Sequence, residues 1–294
     1  MNPHWPWSGP AGDVAFIMGF IAFFALPFLF HIGLLSVGAS KLPVWKESGA
    51  GRRLLGPMLI GYYYWLLSPV FRFVSRTRLK PNQITLASLG AAALTALAIG
   101  TGHFALASTL LIAGATLDVI DGQLARSKQM TTVSGAFLDS TIDRICDGFI
   151  FGGCVVYYAG TPIMYVSLLV LVMSFTVSYA RSRAETLGIV GVEGLMQRAD
   201  RLTILGIALA FSPVFGHSAE GFIAHPFYGI TAGALCLLAV LNTVTAAARI
   251  KWTMERLKES THLSLVRPRS ELARIEVLRE AVNDATTLAN QQAR

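Results

Sequence analysis

Five aspartates in a hydrophobic stretch are the residues of this sequence best suited to chemistry. They are Asp118, Asp121, Asp139, Asp143 and Asp147, five of the seventeen acidic residues of the chain. A carboxylate at the centre of a helix in lipid costs at least about 2.5 kcal/mol, so such residues are rarely kept without a role. We therefore expect these acids to have partners and to form a functional site.

The spacing of the acids predicts that they lie on facing sides of two helices. Asp118 and Asp121 are three residues apart at the end of one apolar run. Asp139 and Asp143 are four residues apart on the next run, and either spacing puts both side chains on one face of a helix. A short loop near 126–132 joins the two helices, which should therefore be antiparallel neighbours. At a rise of about 1.5 Å per residue, Asp139 and Asp143 lie roughly 9 and 15 Å from the start of their helix, so the carboxylates can converge in one cavity.

Carboxylates gathered in this way stay ionised only if cations hold them. Oxygen ligands favour hard divalent ions such as Mg²⁺ or Mn²⁺, and a pair of such ions can stabilise both oxygens of an in-line phosphoryl displacement. Gly122, Ala125 and Gly135 lie beside the acids and would let a phosphate approach the backbone. Arg126 offers a cation to pair with that phosphate. The alternatives are proton or ion transport for the acids and simple helix packing for the glycines.

The composition indicates that membrane-spanning helices must position these acids. The 294 residues are 53% hydrophobic and only 14% charged, with a mean hydropathy of +0.55. Soluble domains carry about 25% charged residues. The three cysteines lie in apolar stretches without metal-ligand spacing, so we expect them to pack as small hydrophobic side chains. This composition excludes disordered, collagen-like and disulfide-stapled proteins.

Apolar runs predict seven membrane spans, since a helix needs about 20 residues to cross a bilayer. The predicted spans are 14–38, 84–100, 104–125, 133–159, 161–182, 202–217 and 226–248. A further apolar stretch, 54–71, has basic residues on both sides and is interpreted as an amphipathic helix in the membrane interface, with an eighth span as the alternative. Residues 252–294 are polar and are predicted to form one or two short cytoplasmic helices.

The basic residues outside the spans lie on one side of the predicted membrane. The loops 101–103, 160–161 and 218–225 contain no Lys or Arg. The basic residues fall in the alternate segments: 41–80, 126–128, 181–201 and the residues from 249 onward. The positive-inside rule then places the N-terminus outside, and the C-terminus and the acids on the cytoplasmic side. The net charge of +7 therefore reflects topology rather than binding to nucleic acid.

The stretch around the acids reads D-V-I-D-G-Q-L-A-R, eight residues, then G-A-F-L-D-S-T-I-D. It resembles the signature D-x2-D-G-x2-A-R-x8-G-x3-D-x3-D of the CDP-alcohol phosphotransferases and matches all eight specified positions. The resemblance to this family covers about 76–250. The resemblance implies an all-α polytopic membrane fold with a six-helix core. The resemblance leaves 1–75 and 252–294 outside it. Together with the apolar runs and charges of those segments, the predicted organisation is an N-terminal transmembrane helix (1–40), an interfacial helix segment (41–80), a six-span catalytic core (81–251) and a cytoplasmic helical tail (252–294).

The resemblance also implies roles for the acids. Asp118 and Asp139 would each contact both of two divalent cations, Mg²⁺ or Mn²⁺, while Asp121 would bind one of them. Asp143 would bind the other cation and accept the proton of an alcohol. The implied reaction transfers the phosphatidyl group of CDP-diacylglycerol to a polar alcohol and releases CMP. Members of the family act as homodimers, so a homodimer in the membrane lipid is expected.

Contacts with the CDP-lipid are implied at two places. One is the motif itself, through Gly122, Arg126 and Thr132. The other is the tract P-N-Q-I-T (81–85), which resembles the entry to the family's first core span. Its candidate residues are Pro81, Asn82, Gln83 and Ile84. For Asn82, capping of the helix is the alternative interpretation.

A second basic region suggests the acceptor. The tracts S-Y-A-R-S-R-A-E (178–185) and G-L-M-Q-R-A-D-R (194–201) are similar to S-Y-x-K-A-R-A-E and E-R-P-E-R of phosphatidylinositol phosphate synthases. The similarity implies that Ser178, Arg181 and Arg198 bind inositol phosphate. The alternative is that these arginines only serve the positive-inside topology and pair with Glu185 and Asp200.

Three departures from those synthases leave the acceptor open. Arg181 stands in place of Lys, Gln197 in place of Glu, and the last span reads T-V-T-A-A-A-R without the Gln-Arg pair. Glycerol phosphate or another alcohol is therefore the alternative acceptor, and a cation transporter is the alternative outside the enzymes. Arg144 and Asp147, three residues apart on one helix, are predicted to form a structural ion pair.

Overall fold

The computed structural model describes residues 56–189, 194–215 and 229–266, together with Met18, Gly19 and Ala22. Within these residues the regular elements are seven α-helices and no strands. They are α1 (Gly56–Ser75), α2 (Pro81–Gly100), α3 (Phe104–Ser127), α4 (Val133–Tyr157), α5 (Pro162–Thr186), α6 (Arg198–Phe215) and α7 (Gly229–Val266). The predicted first span, 14–38, lies almost entirely outside the described residues, as does the end of the tail, 267–294.

The helices α2 to α7 correspond to the six predicted spans from residue 84 onward. Pro81 and Pro162 start α2 and α5, where a proline loses no helical hydrogen bond. Gly102 and Gly188 follow the ends of α2 and α5 with φ of +80° and +78°, a conformation that glycine adopts without strain. The turn residues of the sequence therefore set these helix boundaries.

Four of the described helices are long and apolar enough to cross a membrane by themselves. They are α2, α3, α5 and the Gly229–Glu259 part of α7. The helices α4 and α6 contain charged residues, for example Asp143 in α4 and Arg201 in α6. The all-helical membrane fold agrees with the predicted class, whereas the count of six core spans stays a prediction.

The packing of the helices differs in one respect from the sequence expectation. The sequence predicts α3 and α4 as direct neighbours, but α2 packs closely against both of them. The core further joins α3 to α6, α4 to α5, α5 to α7 and α6 to α7. Small residues permit the α2–α4 contact, since a Cβ atom on Gly153 would lie only 2.7 Å from the carbonyl oxygen of Ala96. The helix α2 is therefore the main packing partner of both acid-bearing helices.

The helix α1 docks beside the motif. Phe71 and Val74 of α1 pack against a buried cluster of Ile84, Ile120 and Leu124. The ammonium of Lys128, just after α3, donates to the carbonyl oxygens of Thr77 at 2.9 Å and Leu79 at 3.1 Å. The segment before the core is thus attached to the end of the helix that carries the first two acids.

The last helix continues into the predicted tail. The helix α7 runs without a break from Gly229 to Val266, so residues 252–266 extend the core helix rather than form a separate short one. No glycine or proline occurs from 234 to 267. Exposed ion pairs one turn apart, such as Lys251 with Glu255, also favour its continuation.

Candidate active site

Three carboxylates from two helices meet at the end of the bundle. Asp118 and Asp121 of α3 and Asp139 of α4 each place an oxygen within 4.8 Å of the other two. Asp121 is the most enclosed of them, at 4% exposed. The hydroxyl of Thr85 on α2 donates a hydrogen bond of 2.6 Å to Asp121 Oδ2 and so fixes that carboxylate. The helix packing described above therefore brings three of the four predicted metal ligands together.

The donor set of this cluster fits a divalent cation. Carboxylate oxygens are the ligands that Mg²⁺ and Mn²⁺ prefer, and like charges at this separation repel each other without a cation between them. Asp121 and its buried hydroxyl partner supply one rigid side of the cluster. Asp118 of α3 and Asp139 of α4 supply the other carboxylates of the cluster.

The fourth motif aspartate lies beside an arginine. A carboxylate oxygen of Asp143 is 2.7 Å from Nη1 of Arg198, and the same nitrogen donates to Asp118 Oδ2 at 3.1 Å. Arg198 starts α6, and this helix start is fixed by Asp200, whose Oδ2 accepts from the backbone N–H of Gln197 at 2.9 Å. The arginine predicted to bind the acceptor is thereby placed next to the predicted base.

The predicted Arg144–Asp147 ion pair is wrong. The oxygens of Asp147 accept instead from Arg198 Nε at 3.0 Å and from Arg201 Nη2 at 3.1 Å. Arg144 donates to the carbonyl oxygen of Ser140 on its own helix. The physical reason is burial: Asp147 faces the interior, where two arginines of α6 reach it and Arg144 does not.

The residues predicted to bind the CDP-lipid fall into two groups. Gly122 and Arg126 are adjacent, since a Cβ atom on Gly122 would lie 3.6 Å from Arg126 Nη1. Thr132 and Asn82 both lie beside Gly135 at the start of α4, where a Cβ atom on Gly135 would lie 3.0 Å from Thr132 Oγ1 and 3.7 Å from Asn82 Oδ1. Thr132 also caps α4 by accepting from the N–H of Gly135 at 3.0 Å.

The rest of the 81–85 tract has structural contacts. Pro81 is the first residue of α2, and Gln83 Oε1 accepts from the N–H of Lys80 at 3.0 Å. The cap of this helix is therefore made by Gln83 and not by Asn82, which was the alternative that the sequence left open. Ile84 is buried in the small cluster under α1.

The three residues predicted to bind the acceptor do not all lie at the acid cluster. Arg198 contacts the acids, as described above. Ser178 on α5 is half-buried, and Arg181 is exposed and pairs with Glu185 at 2.9 Å, one helical turn away. Beside them Arg249 of α7 is buried and donates to the carbonyl oxygen of Val177 at 2.8 Å. The carbonyl that Arg249 binds belongs to the residue before Ser178, so α7 contacts α5 close to the predicted acceptor residues.

The helix α1 contributes a further polar contact near the acids. The hydroxyls of Tyr63 and Thr116 are 3.2 Å apart, and Thr116 is two residues before Asp118. Burial raises the pKa of the Tyr63 hydroxyl above its usual value, so this group stays protonated. A segment outside the family motif therefore borders the acid cluster.

Sequence reasoning missed the partners that hold the acids. Thr85 was visible only as the last residue of the 81–85 tract, and its bond to Asp121 joins positions 36 residues apart. Arg201 was visible only as the last residue of the 194–201 tract, without a role of its own, yet it is 2% exposed and binds Asp147. Such contacts depend on how α2, α4 and α6 pack, which spacing along one helix does not reveal.

Comparison with known proteins agrees with this fold. The sequence profile of the family described as CDP-alcohol phosphatidyltransferase matches residues 78–244. The chain belongs to the CDP-alcohol phosphatidyltransferase family, and it is an integral membrane enzyme of that class. A similar protein is the phosphatidylinositol phosphate synthase of Streptomyces avermitilis, 33% identical over 209 residues, which covers 68% of this chain and 82% of the relative.

Two crystal structures of phosphatidylinositol phosphate synthase from Mycobacterium tuberculosis are also similar. One, with CDP-DAG bound, has a TM-score of 0.56 and 28% identity and covers 64% of this chain and 94% of its own. The other, in complex with manganese and citrate, has a TM-score of 0.56 and 29% identity and covers 63% and 88%. These findings confirm the predicted family and membrane fold, and the acid cluster fits the use of a divalent metal.

Proposed function

We propose that this chain transfers the phosphatidyl group of CDP-diacylglycerol to inositol phosphate and releases CMP. The observation that carries the proposal is the position of Arg198, whose guanidinium lies 2.7 Å from Asp143. Sequence similarity assigns Arg198 to the binding of a phosphorylated acceptor and Asp143 to the role of base. An acceptor phosphate bound by Arg198 would bring its alcohol close to the group that must deprotonate it.

In this proposal the four motif aspartates hold two divalent cations, Mg²⁺ or Mn²⁺. Bound there, the cations would neutralise the pyrophosphate of the CDP-lipid and the charge that develops on the leaving group. Gly122, Arg126, Thr132 and the residues of the 81–84 tract would hold the CDP portion. Asn82 and Thr132 support this assignment because both lie at the start of α4.

The chemical step needs only one proton acceptor from the chain. Asp143 would take the proton of the acceptor hydroxyl while that oxygen attacks the phosphorus that carries the diacylglycerol. The bond from this phosphorus to the CMP oxygen breaks, and CMP leaves with the bonding electrons. Ser178 and Arg181 would complete the acceptor site. We further propose that the site opens to the cytoplasm, that the N-terminus is outside and that the protein acts as a homodimer.

The relatives and the basic residues support inositol phosphate over the other acceptors. Similar proteins are named phosphatidylinositol phosphate synthase, and arginines gather where α5, α6 and α7 approach one another. Glycerol phosphate stays the alternative acceptor, because Arg181 and Gln197 differ from the tracts of those synthases. Family membership supports an enzyme rather than a cation transporter.

The test is CMP release by the purified full chain in detergent or lipid nanodiscs. CDP-diacylglycerol and Mg²⁺ or Mn²⁺ are supplied with inositol phosphate, glycerol phosphate or free inositol in separate reactions. We expect CMP release to depend on the metal and on inositol phosphate. Release with glycerol phosphate, and none above background with inositol phosphate, would replace the proposed acceptor by the alternative.

A further inference from the structure

Asp147 is a buried carboxylate that the proposed reaction does not use. It lies on α4 one helical turn beyond Asp143, and its side chain is 4% exposed. A carboxylate removed from water is strongly unfavourable unless charged partners compensate it. Asp147 has two such partners, Arg201 on its Oδ2 and Arg198 on its Oδ1.

The two arginines differ in what else they reach. Arg201 is 2% exposed, so its charge serves the interior of the protein and neutralises Asp147 there. Arg198 is 22% exposed and extends to Asp118 and Asp143 at the acid cluster. The group of one carboxylate and two guanidinium ions therefore carries one surplus positive charge, and Arg198 presents it to the site.

The contact with Asp147 fixes the direction of that charge. Asp147 uses the Nε edge of Arg198, while Nη1 points to Asp118 and Asp143. A guanidinium is planar and rigid, so holding its Nε edge also sets where its outer nitrogens lie. The backbone under Arg198 is held as well, because Asp200 caps the start of α6.

We propose that Asp147 is a positioning residue that holds Arg198 ready for the phosphate of the acceptor. The inference rests on the proposed function, in which Arg198 binds that phosphate. Without Asp147 only the Nη1 contacts with Asp118 and Asp143 would hold the guanidinium of Arg198, so the acceptor itself would have to fix its direction, which weakens acceptor binding. The CDP-lipid, held by other residues, would not be affected.

The test uses a variant that leaves no buried charge without a partner. Asp147→Asn alone would leave Arg201 charged and unpaired in the interior, so it is combined with Arg201→Gln, and the two amides can hydrogen-bond to each other. Loss of one hydrogen bond between charged groups should raise KM for inositol phosphate about tenfold or more. We expect KM for CDP-diacylglycerol to stay unchanged.

Two further variants separate positioning from general structure. Asp147→Glu keeps the negative charge and should recover part of the affinity for inositol phosphate. In an Arg198→Gln background the paired variant should add no further rise in that KM, because the side chain through which Asp147 acts is already gone. Ser212→Ala is the matched control, since Ser212 lies on α6 and makes a buried hydroxyl contact of 2.5 Å with Thr231; it should leave both KM values as they are.

The outcomes distinguish the inference from the proposed function. A wild-type protein that releases no CMP with inositol phosphate overturns the proposed function and this inference with it. An active wild-type protein whose paired variant keeps the KM for inositol phosphate overturns the inference alone. A rise in both KM values, or an effect that adds to that of Arg198→Gln, shows a merely structural role and also overturns it. Thermal melting in detergent checks that each variant folds. If the paired variant does not fold, the KM values of Asp147→Glu decide. A rise in KM for inositol phosphate without a rise for CDP-diacylglycerol then supports the inference, and an unchanged KM for inositol phosphate overturns it.

Discussion

Asp143 differs from the other three motif aspartates in its surroundings. Asp118, Asp121 and Asp139 place their oxygens within 4.8 Å of one another, whereas Asp143 is not one of these three and lies 2.7 Å from Arg198, which also contacts Asp118 at 3.1 Å. A group that must take a proton from the acceptor needs to lie on the acceptor side of the metals, and the position next to Arg198 fits this requirement.

The first prediction concerns this base. Asp143→Asn keeps the shape of the side chain but removes the negative charge with which it would accept a proton and bind a cation, so CMP release in the presence of inositol phosphate should fall at least about 100-fold. Glu255→Gln makes the same acid-to-amide change on the exposed part of α7 and should have no effect. An Asp143→Asn protein that retains most of its metal-dependent activity would contradict the assignment.

The second prediction concerns the hydroxyl that holds Asp121. Thr85→Val removes the 2.6 Å hydrogen bond without changing the size of the side chain much. Outer partners of metal ligands typically contribute about 10- to 100-fold in metal affinity. We therefore expect half-maximal CMP release to need roughly tenfold more Mn²⁺ or Mg²⁺ in this variant.

The control for this prediction lies on the same helix. Thr95 is also buried, but its hydroxyl donates to the carbonyl oxygen of Ala91 in its own helix. Thr95→Val should leave the metal requirement unchanged. An equal shift in both variants would mean that Thr85 acts through the stability of α2 and not through Asp121.

At the residue scale the sequence indicated the acids and Arg198, but not what holds them. The types and spacing of the acids were informative because carboxylates are rare in membrane helices. The partners of Asp147 are 51 and 54 residues away, and no periodicity within α4 could point to them. The nearer charge, Arg144, was therefore assigned wrongly.

At the scale of the helices, α2 acts as the support for both acid-bearing helices. It packs against α3 and α4 and supplies Thr85 to the site. The close approach of α2 to α4 depends on Gly153, because the backbone of Ala96 occupies the space where a side chain would begin. The close approach of α2 and α4 at the end of the pair away from the acids thus depends on one small residue.

The third prediction follows from this contact. Gly153→Ala would force α2 and α4 apart, and overpacking of this kind typically costs about 1–3 kcal/mol. The melting temperature in detergent should therefore fall, together with metal-dependent CMP release. The adjacent Gly152 has no atom within 4 Å of the corresponding position, so Gly152→Ala should have no such effect and can even favour the helix. Similar melting temperatures for both variants would contradict the role given to Gly153.

The helix bounds were largely predictable, whereas the packing order was not. Apolar runs predicted α2 to α5 to within about four residues at each end because helix length and hydropathy are local properties. The start of α6 was placed four residues late, since Arg198, Asp200 and Arg201 hid its first turn. The packing of α2 against both α3 and α4 depends on the whole bundle, whereas chain order alone favours direct packing of α3 against α4.

At the scale of the whole molecule, the acids and the basic residues occupy the same end of the bundle. The motif acids lie near the end of α3 and the beginning of α4, and Arg198 lies at the beginning of α6. The turns at the other ends of these helices, 101–103 and 160–161, contain no Lys or Arg. If the positive-inside rule holds, substrates that are made in the cytoplasm reach the acids without crossing the membrane.

The fourth prediction tests this orientation with single cysteines. In a chain whose Cys146, Cys154 and Cys236 are replaced by Ala, Thr101→Cys marks the turn after α2 and Ser182→Cys marks the cytoplasmic end proposed for α5. Both positions are exposed, so a membrane-impermeant maleimide can reach them from the side on which they lie. Intact cells should be labelled at position 101 only, and position 182 should react after the membrane is opened. The reverse pattern would place the acids outside the cell, away from a cytoplasmic supply of CDP-lipid and inositol phosphate. It would contradict the proposed orientation but not the proposed chemistry of the acid cluster.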